Sequence, residues 1–445
     1  MAKKSALNFI DLSRGFIQSV TTKQKYRISE KDFTRSRKLT FTTMALCMIK
    51  LLKQNLQVEL TSYFNDITRH KINEQMSVTS SAFVQSRKKI KPDMFYDLSK
   101  IVADDFYQDN DENVKLYKGH RLLSVDGSTI NLPVNSATKE AYGTYNNQTI
   151  TNDVVIGRVS IMYDLLNEIV LDGILCNHSI GEVPLSREHI KNAKKSDIII
   201  MDRAYPSFES IYEMEKRKIQ FIYRCRTNFS NQVNKFYESK KKEAIIEINP
   251  AHTSPFKDLA YTKDTTIRVR MLRIKLSSGE IEILMTSLLD NKKYPYTDFK
   301  ELYFKRWGIE TYYNRFKNII GVENFSGTSD QFIQQEFNCA LYMSNMQSIL
   351  TKEAQEEANE KYLNRKYEYK INTSLSLCFI RNKLVKLFTN QKENKELMEE
   401  LKTLFVVNVI PVRPNRTFIR DHNKYRTRTK PIQFNNRRYV LNKAL

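Results

Sequence analysis

The sequence is poor in the residues that build disulfide frameworks and membrane spans. Its 445 residues include five cysteines with no CxxC pair, namely Cys47, Cys176, Cys225, Cys339 and Cys378. An odd number of scattered cysteines supports neither a disulfide framework nor a zinc ribbon. The best candidate for a membrane span, TMALCMIKLL, is interrupted by Lys50 and is too short to cross a bilayer. Because the N-terminus also lacks the apolar core of a signal peptide, we expect a cytoplasmic protein in a reducing compartment.

Acidic residues are scarce relative to basic ones. The chain has 72 Lys and Arg against 50 Asp and Glu, a formal net charge of +22. Such a surface attracts polyanions, of which nucleic acid is the commonest; an anionic membrane surface is the alternative. The apolar fraction of 41% and the 24 residues each of Tyr and Phe exclude a disordered chain. We therefore expect a folded protein of two to four domains that meets nucleic acid rather than a membrane.

The first part of the chain, residues 1–117, is predicted to be a helical DNA-binding domain. FTTMALCMIKLLKQNLQVELTSYFNDI has apolar residues at helical spacing, and SSAFVQSRKKIKPDMFYDLSKIVADDFY follows with Ser80 or Ser81 as a helix cap. Four basic residues lie near the end of the first helix in that second stretch: Arg87, Lys88, Lys89 and Lys91. They either contact DNA or form the solvated face of an ordinary helical bundle, and the sequence favours neither.

From Gly119 the pattern changes to short apolar strands that alternate with helices. HRLLSVDGST, the hairpin RVSIMYDLLNEIVLDGILC, SDIIIMD and QFIYRCR define an α/β layout over residues 118–228, whose later strands should be parallel. Residues 229–298 interrupt it with a β-rich insertion. There the alternation in IRVRM predicts that Arg268 and Arg270 are exposed on one face.

The rest of the chain is predicted to be mainly helical. Residues 299–340 finish the α/β core with the helix YFKRWGIETYYNRFK, which contains the only tryptophan. Residues 341–445 form a helical C-terminal region with a basic, proline-containing tail. That tail is either extended and solvated or laid along a phosphate backbone.

Two aspartates follow apolar strands directly. Asp126 follows LLSV and Asp202 follows IIIM. Ligands of open α/β sheets bind beyond the carboxyl ends of the strands, so we expect these carboxylates to meet at one edge. Because two like charges destabilise one another, a divalent cation such as Mg²⁺ would resolve the conflict. The alternative is that each aspartate only caps the turn or helix that follows it.

A third acid lies in the late helix. At about 100° per residue, Tyr303, Arg306, Glu310 and Lys317 fall within roughly 60° of one another on its surface. Arg306 and Glu310 could be a plain i,i+4 ion pair on a solvated face. A third carboxylate brought over the two aspartates, with cations beside it to hold phosphates, would instead assemble a site for two-metal phosphoryl transfer.

These residues resemble a known family. Tyr303, Arg306, Glu310 and Lys317 match the Y-R-E-K signature of the insertion-sequence-four family of bacterial DDE transposases, and SVDGST and MDRAYPS are similar to its first two catalytic blocks. The resemblance extends over nearly the whole chain. It implies an α/β fold: an RNase H-like mixed-sheet catalytic core with an inserted antiparallel β segment, preceded by a helical N-terminal domain and followed by a helical, basic C-terminal region.

The resemblance also implies an activity. Asp126, Asp202 and Glu310 would be the catalytic residues and the ligands of two Mg²⁺ ions, with Mn²⁺ as a substitute. The enzyme would bind the terminal inverted repeats of an insertion sequence, cleave the ends and join the 3′ ends to target DNA. Relatives pass through a hairpin on the transposon end. Tyr303, Arg306 and Lys317 would bind DNA phosphates.

Some assignments remain open at this stage. Trp307 would either stack on a flipped base or anchor its helix to the sheet. Asp164, Asp172 and Glu182 match no motif and are interpreted as turn or surface residues, and His120 receives no role.

The partners implied are double-stranded DNA and a second copy of the chain in a synaptic complex, in the bacterial cytoplasm at the nucleoid. The alternatives are a non-catalytic, transposase-derived DNA-binding protein and another RNase H-like DNA nuclease.

Overall fold

A computed structural model describes residues 3–51, 54–68, 78–110, 112–144, 154–251, 259–276 and 279–413. Its centre is an eight-stranded mixed sheet in the order β3-β2-β1-β4-β5-β8-β7-β6. The strands are β1 (Leu122–Asn131), β2 (Ile156–Asp164), β3 (Ile169–Asn177), β4 (Ile198–Met201), β5 (Gln220–Cys225), β6 (Glu243–Ile248), β7 (Ile267–Lys275) and β8 (Ile281–Thr286). The predicted α/β class is confirmed.

The first five strands have the directions expected of an RNase H-like core. β1, β2 and β3 are an antiparallel meander, while β4 pairs in parallel with both β1 and β5. β4 is only four residues long and all of them are completely buried. A strand covered on both faces needs a continuous apolar run, which IIIM supplies. The burial of β4 therefore fixes the position of the chain where the strand ends, after Met201.

The β-rich insertion extends the same sheet. β8 pairs antiparallel with β5, and β7 and β6 follow outward. The prediction for IRVRM was half wrong: Arg268 is exposed, but Arg270 is only 2% exposed. Its guanidinium is covered because Nε donates to Glu243 at 3.0 Å and Nη1 donates to the carbonyl of Tyr294 at 2.7 Å. Simple alternation could not show that residues 288–294 fold back over this strand.

The N-terminal region is helical, as predicted. Its helices are α1 (Ala6–Gln18), α2 (Val20–Tyr26), α3 (Phe41–Ile49), α4 (Leu56–Thr68), α5 (Ser80–Arg87) and α6 (Asp93–Phe106). The predicted cap of α5 was wrong by one residue, because Thr79 accepts the backbone N–H of Ala82 at 3.2 Å. α6 packs against β3 and so attaches this region to the sheet.

Six further helices surround the sheet and carry its connections. They are α7 (Ser136–Tyr142), α8 (Glu182–Asn192), α9 (Phe208–Arg217), α10 (Asn231–Glu238), α11 (Asp298–Lys305) and α12 (Trp307–Asn318). Two of these helices, α8 and α12, pack against β1, the strand that carries Asp126.

One long helix joins the three regions. α13 (Asp330–Leu350) packs against α6, α3 and β3. Asn345 at its centre is fully buried, accepts the N–H of Val170 at 2.7 Å and donates to the Val170 carbonyl at 2.9 Å. A helix that is buried nearly all round is a core element, and its polar groups must find partners inside.

The C-terminal region closes on α13. It contains α14 (Lys352–Lys361), α15 (Thr373–Thr389), α16 (Asn394–Val407) and a two-stranded ribbon of β9 (Glu368–Ile371) and β10 (Val409–Val412). The predicted basic tail lies almost entirely outside the described residues. Within the described ranges, every helix is too short or too polar to traverse a lipid bilayer.

Arg87 is a structural residue of α5. Its side chain is 2% exposed, and its guanidinium donates to Gln335 Oε1 at 2.7 Å, Ser326 Oγ at 2.9 Å and the Phe332 carbonyl at 2.7 Å. The guanidinium also pairs with Glu336 at 2.9 Å. A side chain that is buried and bonded in this way cannot reach DNA, so the DNA-contact interpretation is wrong for Arg87.

Candidate active site

Asp126 lies in the middle of β1, not at its end as predicted. β1 continues to Asn131 because it pairs with β2 along its whole length, and Asp126 is opposite Ile161. The parallel pairing with β4, however, stops at Ser124 opposite Ile200. Asp126 is therefore just beyond the parallel part of the sheet, at the edge where β4 ends.

Asp202 directly follows β4, as predicted. Its Oδ1 accepts the N–H of Arg203 at 2.6 Å and the hydroxyl of Tyr303 at 3.4 Å. The next helix, α9, is capped by Ser207, which accepts the N–H of Ser210 at 3.1 Å. Asp202 therefore does not cap α9, although its side chain accepts the first N–H of the turn that follows β4. The capping alternative fails for Asp126, because that residue is inside a strand.

Glu310 lies in the first turn of α12, where the helix dipole favours a negative charge. The predicted single helix is interrupted: α11 ends at Lys305 and α12 begins at Trp307, with Arg306 at the junction. The chain keeps helical dihedral angles through Arg306, so the predicted stripe survives the interruption. Arg306 Nη2 donates to Glu310 Oε1 at 2.9 Å.

Arg306 is the electrostatic centre of the site. It is 6% exposed, and burial alone would lower its pKa, but Tyr303, Glu310 and Asp202 raise it above its ordinary value. Burial also raises the pKa of Asp126 to about 6; the charge of Arg306 opposes this rise, and Glu310 adds to it. One guanidinium thus interacts with all three predicted carboxylates, which come from a strand, a strand end and a helix. The Arg306 end of the ion pair is buried, whereas the Glu310 side chain is 37% exposed.

The remaining predicted residues lie around this centre. Tyr303 is 5% exposed and reaches Asp202, while Lys317 Nζ donates to Ser128 Oγ on β1 at 2.7 Å. Trp307 is 41% exposed, and the Arg306 guanidinium lies over its ring at 5.0 Å. A side chain this exposed does not anchor α12 to the sheet, which disfavours one of its two interpretations.

Glu182 was missed by the sequence interpretation. It begins α8, and its carboxylate lies against Gly127, where an added Cβ would be 2.8 Å from Glu182 Oε1. Arg158 Nη1 donates to Glu182 Oε1 at 2.7 Å, and the negative charge of Glu182 contributes to the raised pKa of Asp126. The start of α8 is hard to recognise in the sequence, because Pro184 lies in its first turn. Proline is tolerated there, but it is more often a sign that no helix is present.

The other two acids that were assigned to turns or the surface are buried. Asp164 does hold a turn, since its Oδ1 accepts the N–H of Leu166 at 2.8 Å, but it is fully buried. Asp172 accepts from His189 Nδ1 at 2.9 Å and from the Tyr96 hydroxyl at 2.8 Å. Asp172 therefore links the sheet to α6 and is a structural residue.

The carboxylates of Asp126, Asp202 and Glu310 are chemically suited to a divalent cation, but in this structure they are not close enough together to share one. Within the part of the chain that the structure describes, no three His, Cys, Asp or Glu side chains are placed to hold a metal ion together. Arg306 instead interacts with the three acids. Carboxylate oxygens are the ligands that Mg²⁺ prefers, and Asp126 is a partly buried acid whose negative charge a cation would stabilise.

An RNase H-like sheet with one acid inside β1 and another directly after β4 is the arrangement of polynucleotide-processing enzymes that act at phosphodiesters. A family model described as the transposase DDE domain matches residues 117–346, more than half of the chain. The chain belongs to this family and is a DNA transposase. Domains of this family use divalent metal ions, and DNA is their partner.

Comparison with solved structures finds a similarity to the piggyBac transposase in its synaptic complex with hairpin DNA, determined by cryo-electron microscopy. The TM-score is 0.39 and the sequence identity 9%, over 95% of this chain and 90% of that chain. No curated protein sequence matches the chain.

Proposed function

We propose that the protein is a transposase of the insertion-sequence-four family that cleaves the terminal inverted repeats of its own element and joins the freed 3′ ends to target DNA. The observation that carries the proposal is the position of Arg306 among Asp126, Asp202 and Glu310. An exposed i,i+4 ion pair contributes little, whereas the charge of the buried Arg306 also acts on Asp126 and Asp202. Perturbed, coupled charges of this kind are typical of active sites.

Asp126, Asp202 and Glu310 are the residues that would hold two Mg²⁺ ions, or Mn²⁺ in their place. When bound, such ions supply Lewis-acid polarisation of the scissile phosphodiester. Arg306 pairs with Glu310 in the absence of DNA; with DNA bound, its guanidinium would turn to a phosphate, for which it is geometrically suited. That movement would free Glu310 to act as a ligand.

Tyr303 and Lys317 complete the phosphate contacts on either side of Arg306. Tyr303 contacts Asp202, and Lys317 contacts Ser128, which lies two residues after Asp126 on β1. Trp307, half-exposed beside Arg306, would stack on an unpaired base of the transposon end. The net charge of +22 supports binding of the rest of the duplex.

The assembly proposed is a homodimer on paired ends, in the bacterial cytoplasm at the nucleoid, because two ends must be joined in concert. The domain division that accompanies it is the predicted one: residues 1–117 bind DNA, residues 118–228 and 299–340 form the catalytic core, residues 229–298 are the insertion, and residues 341–445 are the basic C-terminal region.

The test is cleavage of a labelled duplex that carries the element's terminal repeat, in Mg²⁺, with Glu310→Gln as the inactive variant. Glu301→Gln is the matched control, because Glu301 is an exposed acid on α11 that pairs only with its helical neighbour Lys305 at 3.0 Å. Wild type and Glu301→Gln should cut at the repeat end, and Glu310→Gln should bind the repeat but not cut it. Specific binding by wild type without cleavage in Mg²⁺ or Mn²⁺ would instead identify a non-catalytic DNA-binding protein.

A further inference from the structure

The carboxylate of Asp126 is held from one side. Its Oδ1 accepts the N–H of Gly127 at 2.9 Å and the hydroxyl of Tyr205 at 3.4 Å. Both hydrogen bonds that the described residues make to this carboxylate reach the same oxygen. Two donors on one oxygen fix the rotation of a carboxylate and leave the other oxygen to face a ligand.

Tyr205 is buried and its position is set by the turn that follows β4. It is 1% exposed, and its N–H donates to the carbonyl of Asp202 at 3.1 Å. The same four-residue turn therefore places the carboxylate of Asp202 and the hydroxyl that reaches Asp126. Burial raises the pKa of Tyr205, and the charges of Asp126 and Glu182 raise it further, so the phenol remains a hydrogen-bond donor.

Glu182 is the second acid beside that hydroxyl. Its side chain packs on Gly127, the residue after Asp126, and an added Cβ there would displace it. Arg158 holds the carboxylate by the 2.7 Å bond from Nη1, while its Nη2 donates to the His178 carbonyl at 3.2 Å. Arg158 lies on β2, opposite Thr129 of β1. The arginine that holds Glu182 is therefore on the strand next to the one that carries Asp126.

From this geometry we infer that Arg158, Glu182 and Tyr205 form a positioning chain that fixes the Asp126 carboxylate for a divalent cation. Tyr205 acts through its hydrogen bond to Asp126. Glu182, held by Arg158, packs on Gly127, whose N–H donates to the same Asp126 oxygen. Outer residues that orient a metal ligand typically change metal affinity by 10- to 100-fold when they are removed. The inference rests on the proposed function, because it assigns a cation to Asp126.

The test compares Tyr205→Phe and Glu182→Gln with wild type by Mn²⁺ titration of the protein bound to an uncleavable terminal-repeat duplex, with the duplex alone as the blank and free Mn²⁺ followed by electron paramagnetic resonance. Asp126→Asn is the reference for loss of the ligand itself. Tyr261→Phe is the matched control, because that hydroxyl also donates to a carboxylate, Glu209, at 2.8 Å but lies outside the site. Binding of the terminal repeat and the melting temperature are measured for every variant.

Both conservative variants should weaken Mn²⁺ about 10-fold or more, with DNA affinity, melting temperature and the control unchanged. The Mg²⁺ concentration for half-maximal cleavage should rise in parallel. Mn²⁺ affinity within twofold of wild type in both variants overturns the inference, as does a wild type that binds no Mn²⁺. If the variants lose Mn²⁺ but wild type never cuts the repeat, the positioning chain stands and the proposed function fails.

Discussion

Replacing Arg87, the only basic residue of α5, with alanine should strongly destabilise the protein. Removal of one partner of a buried ion pair costs about 3–5 kcal/mol, because the other charge is left without compensation. Here the charge left behind is Glu336, whose side chain is only 14% exposed. The Gln335 amide oxygen and the Phe332 carbonyl lose their donors as well, at about 1 kcal/mol each or more. We therefore expect Arg87→Ala to lower the free energy of unfolding by about 4 kcal/mol or more.

The assay is urea unfolding followed by circular dichroism, combined with amide hydrogen exchange across α5 and α13. Lys88→Ala is the control, because Lys88 is the exposed neighbour of Arg87, and such a surface change should stay within about 0.5 kcal/mol. The double variant Arg87→Met, Glu336→Gln removes both charges and should cost clearly less than Arg87→Ala. A cost below about 1 kcal/mol for Arg87→Ala, together with weaker DNA binding, would refute this reasoning and restore the DNA-contact interpretation.

Two further predictions concern buried charges away from the site. Burial and the nearby charge of Lys115 lower the pKa of Lys352 to about 8. The charged form of Lys352 therefore lowers the free energy of unfolding. This destabilisation is at its full value below pH 8 and disappears above the unfolded pKa near 10.4. Lys352→Met should therefore stabilise the protein by about 1 kcal/mol at pH 7, discounted for partial exposure, and by nothing at pH 11; a gain in urea unfolding that persists at pH 11 would contradict this. Burial of Asp172 favours the neutral acid, but hydrogen bonds led by that of His189 hold its pKa at about 2. The carboxylate therefore contributes about 2 kcal/mol that is present above pH 4 and lost as the pH falls through 2. The destabilisation by Asp172→Asn should shrink by about half between pH 5 and pH 3, and a difference that does not change with pH would be evidence against the assigned pKa.

The strand and helix order could be predicted because it depends on short-range patterns. The apolar run IIIM was correctly predicted to be a buried strand. Asp202, which follows it, correctly marked where that strand ends. The end of β1 could not be predicted in the same way. Its residues beyond Asp126 are held by pairing with β2, which depends on a partner about 30 residues away.

The site was predicted where residues carry a spaced pattern and missed where packing alone brings them together. Glu310 and Arg306 share a helix face, so their contact follows from their spacing. Glu182 comes close to β1 because Gly127 has no side chain to displace it. An acid placed before a proline and a predicted helix was a weak signal, and nothing in the sequence joined it to β1.

The way in which the insertion joins the sheet limits how the protein can be shortened. β8 covers the edge of β5 through residues 222–225, so the core and the insertion share one hydrogen-bonded ladder. A deletion that removed β6, β7 and β8 would leave the backbone groups of β5 exposed along an apolar edge, which invites pairing with another molecule. A compact version of this enzyme for genome engineering would therefore have to keep β8, or replace it with another strand, before anything else in residues 229–298 is cut.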